Sequence, residues 1–92
     1  MELRVNPGPA EVRLPEAPTT GYLWTLADPP PGVSLIRSDY VPPPDDKVGG
    51  QGERVFHFDV SSPGRYDLDF HLGRATQAET AERRTVTLIA ER

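Results

Sequence analysis

The chain has 92 residues, no cysteine, and a net charge of −4 from ten basic and fourteen acidic residues. This length accommodates one domain with one hydrophobic core, and we interpret residues 1–92 as that single domain. The absence of cysteine excludes disulfides and thiol nucleophiles, and the acidic balance argues against nucleic acid and anionic membrane surfaces as partners.

Apolar residues recur at every second position along the chain, the period of half-buried β-strands. In the first half these positions are Leu3 and Val5, Val12 and Leu14, and Tyr22, Trp24 and Leu26, followed by an apolar segment from Val33 to Val41. In the second half they are Phe56, Phe58 and Val60, then Tyr66, Leu68, Phe70 and Leu72, and finally Val86, Leu88 and Ala90. Turn sequences rich in proline and glycine separate them, so the pattern predicts about seven short strands in an all-β sandwich of two antiparallel sheets.

One polar stretch interrupts this pattern. The segment from Ala75 to Arg84 is polar on every side and carries no helical stripe, so we interpret it as a loop. No apolar run approaches the roughly 18 residues of a membrane span. The N-terminus lacks a signal-peptide pattern, which predicts a cytoplasmic protein if Met1 is the native start and a secreted or periplasmic one otherwise.

The segment Ala17-Pro18-Thr19-Thr20-Gly21-Tyr22 is predicted to be a stiff, outward-pointing loop that leads into a core strand. Proline fixes its own φ, the β-branched threonines have little χ1 freedom, and glycine permits a left-handed backbone. Because such a loop has little entropy to lose, it is suited to binding without rearrangement.

Two further segments are candidate contact sites. The stretch Gly49-Gly50-Gln51-Gly52 is either a backbone that a partner can approach closely or a flexible connection between two strands. The stretch Leu72-Gly73-Arg74 offers a guanidinium that could pair with acidic groups, or else a solvent-facing arginine beside a turn glycine.

These segments resemble the chagasin-type inhibitors of cysteine peptidases. Members of that family carry an Asn-Pro-Thr-Thr-Gly-Tyr/Phe loop followed by x-Trp, a glycine-rich loop, and a third loop with Arg-Pro-Trp. Here the first motif runs from Ala17 to Trp24, with alanine in place of asparagine, and the glycine-rich stretch precedes Arg54-Val55-Phe56-His57-Phe58 as in the family. At the third position the chain has Leu72-Gly73-Arg74 instead of Arg-Pro-Trp.

The resemblance implies an immunoglobulin-like β-sandwich that reversibly inhibits papain-like cysteine peptidases, with three loops at one end forming a wedge for the active-site cleft. It assigns partner contacts to Pro18, Thr19, Thr20 and Gly21 at the centre, to Gly49, Gly50 and Gly52 on one side, and to Leu72, Gly73 and Arg74 on the other. Trp24, Phe56, Phe58, Leu68 and Phe70 are expected in the core, and we expect a monomer without a cofactor.

Other functions have weaker support. Asp67, Asp69 and His71 share a strand face and, with His57 and Asp59 on a neighbouring strand, are candidate metal ligands, but alternating polar residues are typical of any solvent-facing side of a sheet. No nucleophile motif points to an enzyme. The alternative function is a non-inhibitory immunoglobulin-like binding or structural module that keeps the scaffold and has lost the target.

Overall fold

The computed structural model describes residues 1–17, 21–43, 51–74 and 80–92. Within these residues the chain forms seven strands, β1 to β7 in order: Glu2–Val5, Gly8–Glu16, Leu23–Leu26, Val33–Val41, Gly52–Val60, Gly64–Gly73 and Glu82–Ala90. The described part of the chain contains no helix long and apolar enough to cross a membrane.

The strands form two sheets, one with the order β1-β7-β6-β3 and one with the order β2-β5-β4. The predicted all-β fold of seven strands in two sheets is therefore confirmed. One pairing departs from the antiparallel pattern, because β1 runs parallel to β7. Pro7 and Pro9 lack the N–H groups that a β1–β2 hairpin would need, and Gly8 has a φ of 118°, so the chain turns from one sheet into the other.

The core lies between the two sheets and consists of the inward positions of the alternating pattern. Its buried apolar residues are Ala10, Val12, Leu14, Trp24, Val33, Phe56, Phe58, Val60, Leu68, Phe70, Val86, Leu88 and Ala90. The rings of Phe56 and Phe70 meet across the sheets with centroids 4.9 Å apart. All five residues predicted for the core are buried.

The polar stretch predicted as a loop ends earlier than the sequence indicates. Strand β7 begins at Glu82, so residues 82–84 belong to it, while residues 75–79 lie outside the described residues. The Ala81 N–H donates to the Leu72 carbonyl at 2.8 Å, and Glu82 pairs with Leu72. Backbone pairing with β6 therefore extends the strand beyond the residues that have an apolar pattern.

Strand pairing brings three connections to one end of the sandwich, which we call the loop end. The partners nearest this end are Glu16 with Gly52, Val41 with Glu53, Leu23 with Gly73, and Leu72 with Glu82. The β2–β3, β4–β5 and β6–β7 connections therefore all leave from the loop end. The β1–β2, β3–β4 and β5–β6 connections lie at the opposite end, the far end.

Candidate functional site

The structure describes only part of the candidate contact set. Pro18, Thr19, Thr20, Gly49 and Gly50 lie outside the described residues. The described members are Gly21, Gly52, Leu72, Gly73 and Arg74, and all five lie at the loop end.

The first and third candidate segments meet at Tyr22 and Arg74. The guanidinium carbon of Arg74 lies 4.3 Å from the centre of the Tyr22 ring, within the range of a cation–π contact. Gly21, with a φ of 79°, lies beside them, and a Cβ there would be 3.8 Å from the Arg74 Nε. The left-handed backbone at Gly21 favours glycine, and the exposed Arg74 flanks the end of the first loop.

The third candidate segment is mostly strand rather than loop. Leu72 and Gly73 are the last two residues of β6, and Leu72 packs against the core. Gly73 pairs with Leu23 on β3. The expectation of a three-residue loop is therefore wrong for Leu72 and Gly73, because pairing with β3 and β7 continues to the end of β6, and Arg74 is the first residue beyond the strand.

Gly52 is glycine because of packing within the chain. It is buried as the first residue of β5, and a Cβ there would lie 2.5 Å from the Tyr40 hydroxyl oxygen and 2.7 Å from the adjacent ring carbon. The Val41 carbonyl oxygen is closer still. The close approach that the sequence suggested for a partner is thus made by β4 of the same chain.

A buried carboxylate holds the base of the first loop. Glu16 continues the inward stripe of Ala10, Val12 and Leu14, and its side chain is fully buried. Its Oε2 accepts the backbone N–H of Trp24 at 3.0 Å, which joins the end of β2 to the start of β3 in the other sheet. The indole N–H of Trp24 donates to the Pro15 carbonyl at 2.8 Å. Two hydrogen bonds therefore join Trp24, after the first loop, to Pro15 and Glu16, before it.

Arg54 completes this group from the neighbouring strand. Its Nη2 donates to Glu16 Oε1 at 2.8 Å, and its Nε lies 3.2 Å from both carboxylate oxygens. The other face of the guanidinium group is near Tyr40, whose ring centre is 5.9 Å away. The Arg54 side chain is 18% exposed, so the ion pair is well shielded from water.

Sequence reasoning missed both Glu16 and Arg54, although a signal was present. Glu16 follows three inward residues at a spacing of two, and Arg54 precedes Phe56 and Phe58 on the inward face of β5 in the same way. Two opposite charges on inward positions at one end of a sandwich indicate a buried pair, because an unpaired buried charge is costly.

Apolar side chains are also exposed at the loop end. Leu23 is 44% exposed at the start of β3, and Val41 is 40% exposed at the end of β4. Single exposed apolar residues are common on protein surfaces, but these two flank the first and second connections. Leu23 follows Tyr22 and pairs with Gly73, next to Arg74, so an apolar side chain lies beside the aromatic and cationic groups there.

Two of the candidate metal ligands form hydrogen bonds to threonines instead. Asp67 and Asp69 accept hydrogen bonds from the hydroxyls of Thr87 and Thr85, at 2.8 and 2.9 Å, across the β6–β7 pair. His57 and Asp59 lie on β5 in the other sheet, so their expected position on a strand next to β6 is wrong. Among the described residues, no three His, Asp or Glu side chains form a group that could hold a metal ion.

The outer face of the three-stranded sheet carries an exposed charge cluster. Arg37 Nε donates to Asp39 Oδ2 at 2.9 Å, and His57 Nε2 lies 3.2 Å from the same oxygen. The hydrogen bond from Arg37 is the main reason that the pKa of Asp39 falls below its ordinary value of 3.8. This cluster lies on β4 and β5, away from the Arg74–Tyr22 contact.

Two comparisons of the sequence with known proteins identify the same family. A sequence model described as Chagasin family peptidase inhibitor I42 matches residues 8–89. Chagasin from Trypanosoma cruzi is 30% identical over 87 residues, which covers 87% of this chain and 79% of chagasin.

Two solved structures share the fold at lower identity. The cysteine protease inhibitor EhICP2 from Entamoeba histolytica superposes with a TM-score of 0.75 at 17% identity, covering 98% of this chain and 85% of that one. Amebosin superposes with a TM-score of 0.70 at 21% identity, covering 98% and 88%. At these identities the likeness establishes the fold, which agrees with the expected immunoglobulin-like sandwich.

Proposed function

The chain belongs to the chagasin family of cysteine peptidase inhibitors, which are not enzymes, and from this premise we propose that it inhibits papain-like cysteine peptidases with the loop end. The proposal assigns cleft contacts to Pro18, Thr19, Thr20 and Gly21, flanked on one side by Gly49 and Gly50 and on the other by Arg74. Gly52, Leu72 and Gly73 then support these contacts from the strands.

The inhibition is reversible and non-covalent. A papain-like peptidase attacks a substrate carbonyl with a thiolate that is paired with a histidine. Proline and the β-branched threonines restrict the backbone of the first loop, so it fills the cleft without presenting a carbonyl in near-attack geometry. The inhibitor acts as a monomer, and its partner is the peptidase itself.

The Arg74–Tyr22 contact is the single observation that carries the proposal furthest. It places the residue after β6 against the residue before β3, so Tyr22 and Arg74, the described ends of the first and third segments, share one surface. The family's Arg-Pro-Trp motif is absent here. The stacked Tyr22 and Arg74, together with the exposed Leu23, supply aromatic, cationic and apolar contact in the same region.

The missing tryptophan favours one competing function, a binding or structural module without inhibitory activity. Buried aromatic anchors often dominate interface energy, and loss of one can cost about 2–4 kcal/mol. The two functions are distinguished by adding the protein in increasing amounts to papain and to a cathepsin L-type peptidase of known active-site concentration and measuring the remaining peptidase activity. We expect reversible inhibition in the nanomolar range that is recovered on dilution. No inhibition at concentrations of about 10 µM or more, roughly −7 kcal/mol of binding, would favour the alternative.

A further inference from the structure

We propose that Glu16 and Arg54 are a positioning pair, whose role is to hold the first loop in its binding-competent form rather than to stabilise the fold. This inference rests on the proposed inhibitory function. Neither side chain is assigned to contact the peptidase, since the Glu16 carboxylate is fully buried and Arg54 is largely covered.

The geometry of the pair supports this role. The Glu16 carboxylate accepts the Trp24 N–H through Oε2 and binds Arg54 through both oxygens, so one buried group connects β2, β3 and β5 at the loop end. Ala17 follows Glu16 directly, and Tyr22 lies two residues before Trp24. The pair thus fixes the distance between the two ends of the first loop.

Stability alone is a poor explanation for a charged pair at these positions. Replacing a buried ion pair by apolar residues of similar size is often neutral or stabilising, whereas removing one partner is strongly destabilising. The inward stripe of β2 is apolar from Ala10 to Leu14 and becomes charged only at the loop end. A hydrogen-bond acceptor is needed there because the Trp24 N–H on the edge strand β3 is buried, and Glu16 supplies it.

The second connection is tied to the same pair. Arg54 lies two residues after Gly52, and its guanidinium group is near the Tyr40 ring, which occupies the space that a Cβ on Gly52 would fill. Tyr40 and Gly52 lie on either side of the β4–β5 connection. The pair therefore positions the strand ends that carry both connections, and less entropy is lost when the peptidase binds.

The test uses the double variant Glu16→Met with Arg54→Met, which keeps side-chain volume and removes both charges. We expect a melting temperature near or somewhat below that of the wild type, because no charge is left unpaired but the buried Trp24 N–H loses its acceptor. The inhibition constant against a papain-type peptidase should nevertheless rise at least about 10-fold, which corresponds to about 1.4 kcal/mol. In the free protein, amide hydrogen exchange at Tyr22 and Trp24 should be at least about 10-fold faster, or about 1.4 kcal/mol less protected.

An inhibition constant and amide exchange rates within about 2-fold of the wild type would overturn the inference. If the double variant does not fold, Glu16→Gln is compared with Val60→Ala, a core truncation at the far end, at denaturant concentrations giving equal folded fractions. Weaker inhibition by Glu16→Gln supports the positioning role, and equal inhibition contradicts it. If the wild type inhibits no peptidase, the proposed function fails, while the exchange rates of the free protein still decide this inference.

Discussion

The guanidinium group of Arg74 covers the ring of Tyr22 at 4.3 Å, so the end of β6 and the approach to β3 share one exposed surface. An exposed cation–π contact contributes about 0.5–1 kcal/mol. Arg74→Ala should lower the free energy of unfolding by no more than this amount. It should weaken inhibition about 2- to 5-fold or more, because the guanidinium group leaves the proposed contact surface, and Arg74→Lys should be intermediate because the ammonium group lacks the planar stacking surface.

The matched control is Arg65→Ala, since Arg65 is an exposed arginine on β6 near the far end. Inhibition constants for the three variants and the wild type provide the measurement. Equal inhibition by the wild type and Arg74→Ala would remove Arg74 from the contact surface.

Thr19 is proposed to contact the centre of the peptidase cleft. Thr19→Arg should raise the inhibition constant at least about 30-fold, or about 2 kcal/mol, because a long charged side chain cannot enter a cleft filled by a threonine. The melting temperature should stay unchanged. The control Ser34→Arg adds the same side chain at an exposed position near the far end and should inhibit like the wild type. Unimpaired inhibition by Thr19→Arg would show that the first loop does not occupy the cleft.

Gly52 is predicted to be intolerant of any side chain. Gly52→Ala should lower the free energy of unfolding by about 1–3 kcal/mol, because the added Cβ overlaps the Tyr40 ring and the Val41 carbonyl. Urea unfolding measures this change. Combination with Tyr40→Ala should cost less than the sum of the two single changes, since the smaller side chain vacates part of the space. Strict additivity would contradict the close approach.

The acid stability of the protein should depend in part on Asp39. Its pKa is below the ordinary 3.8 in the folded state, mainly because of Arg37, so ionised Asp39 favours folding above about pH 4, and this contribution disappears as the pH falls below that value. The melting temperature of Asp39→Asn should be lower than that of the wild type at pH 7, and the gap should narrow as the pH falls below 3.8 and through the lowered pKa of the folded state. Asp59→Asn serves as a control for removing a charge from the same sheet. A gap that is independent of pH would refute the assignment.

The strands and the core were predictable because period-two alternation directly reports which side chains face inward. Phe56, Phe58 and Phe70 needed no other information. The pairing of β1 with β7 was not predictable in this way, since alternation identifies a strand without identifying its neighbour. The extension of β7 to Glu82 was missed for a related reason, because backbone pairing with β6 compensates for a polar sequence.

The candidate site was only partly predictable from the sequence. The resemblance of the loop segments indicated Gly21 and Arg74 as contact residues. It did not indicate the contact between Tyr22 and Arg74, because that contact depends on the register of β3 and β6. Gly52 was predicted to allow a binding partner close to the backbone, whereas Tyr40 of the same chain occupies the space beside it. Glu16 was not predictable from a loop motif, because it lies at an inward strand position beneath the first loop.

The most direct measurement of the central claim is the amide hydrogen-exchange footprint of the inhibitor in complex with a papain-like peptidase. Burial of the loop end in the cleft predicts slower exchange at Gly21, Tyr22 and Arg74, and unchanged exchange at Ser61 and Ser62 in the β5–β6 turn at the far end. Protection of the far-end turn with no change at the loop end would contradict the account.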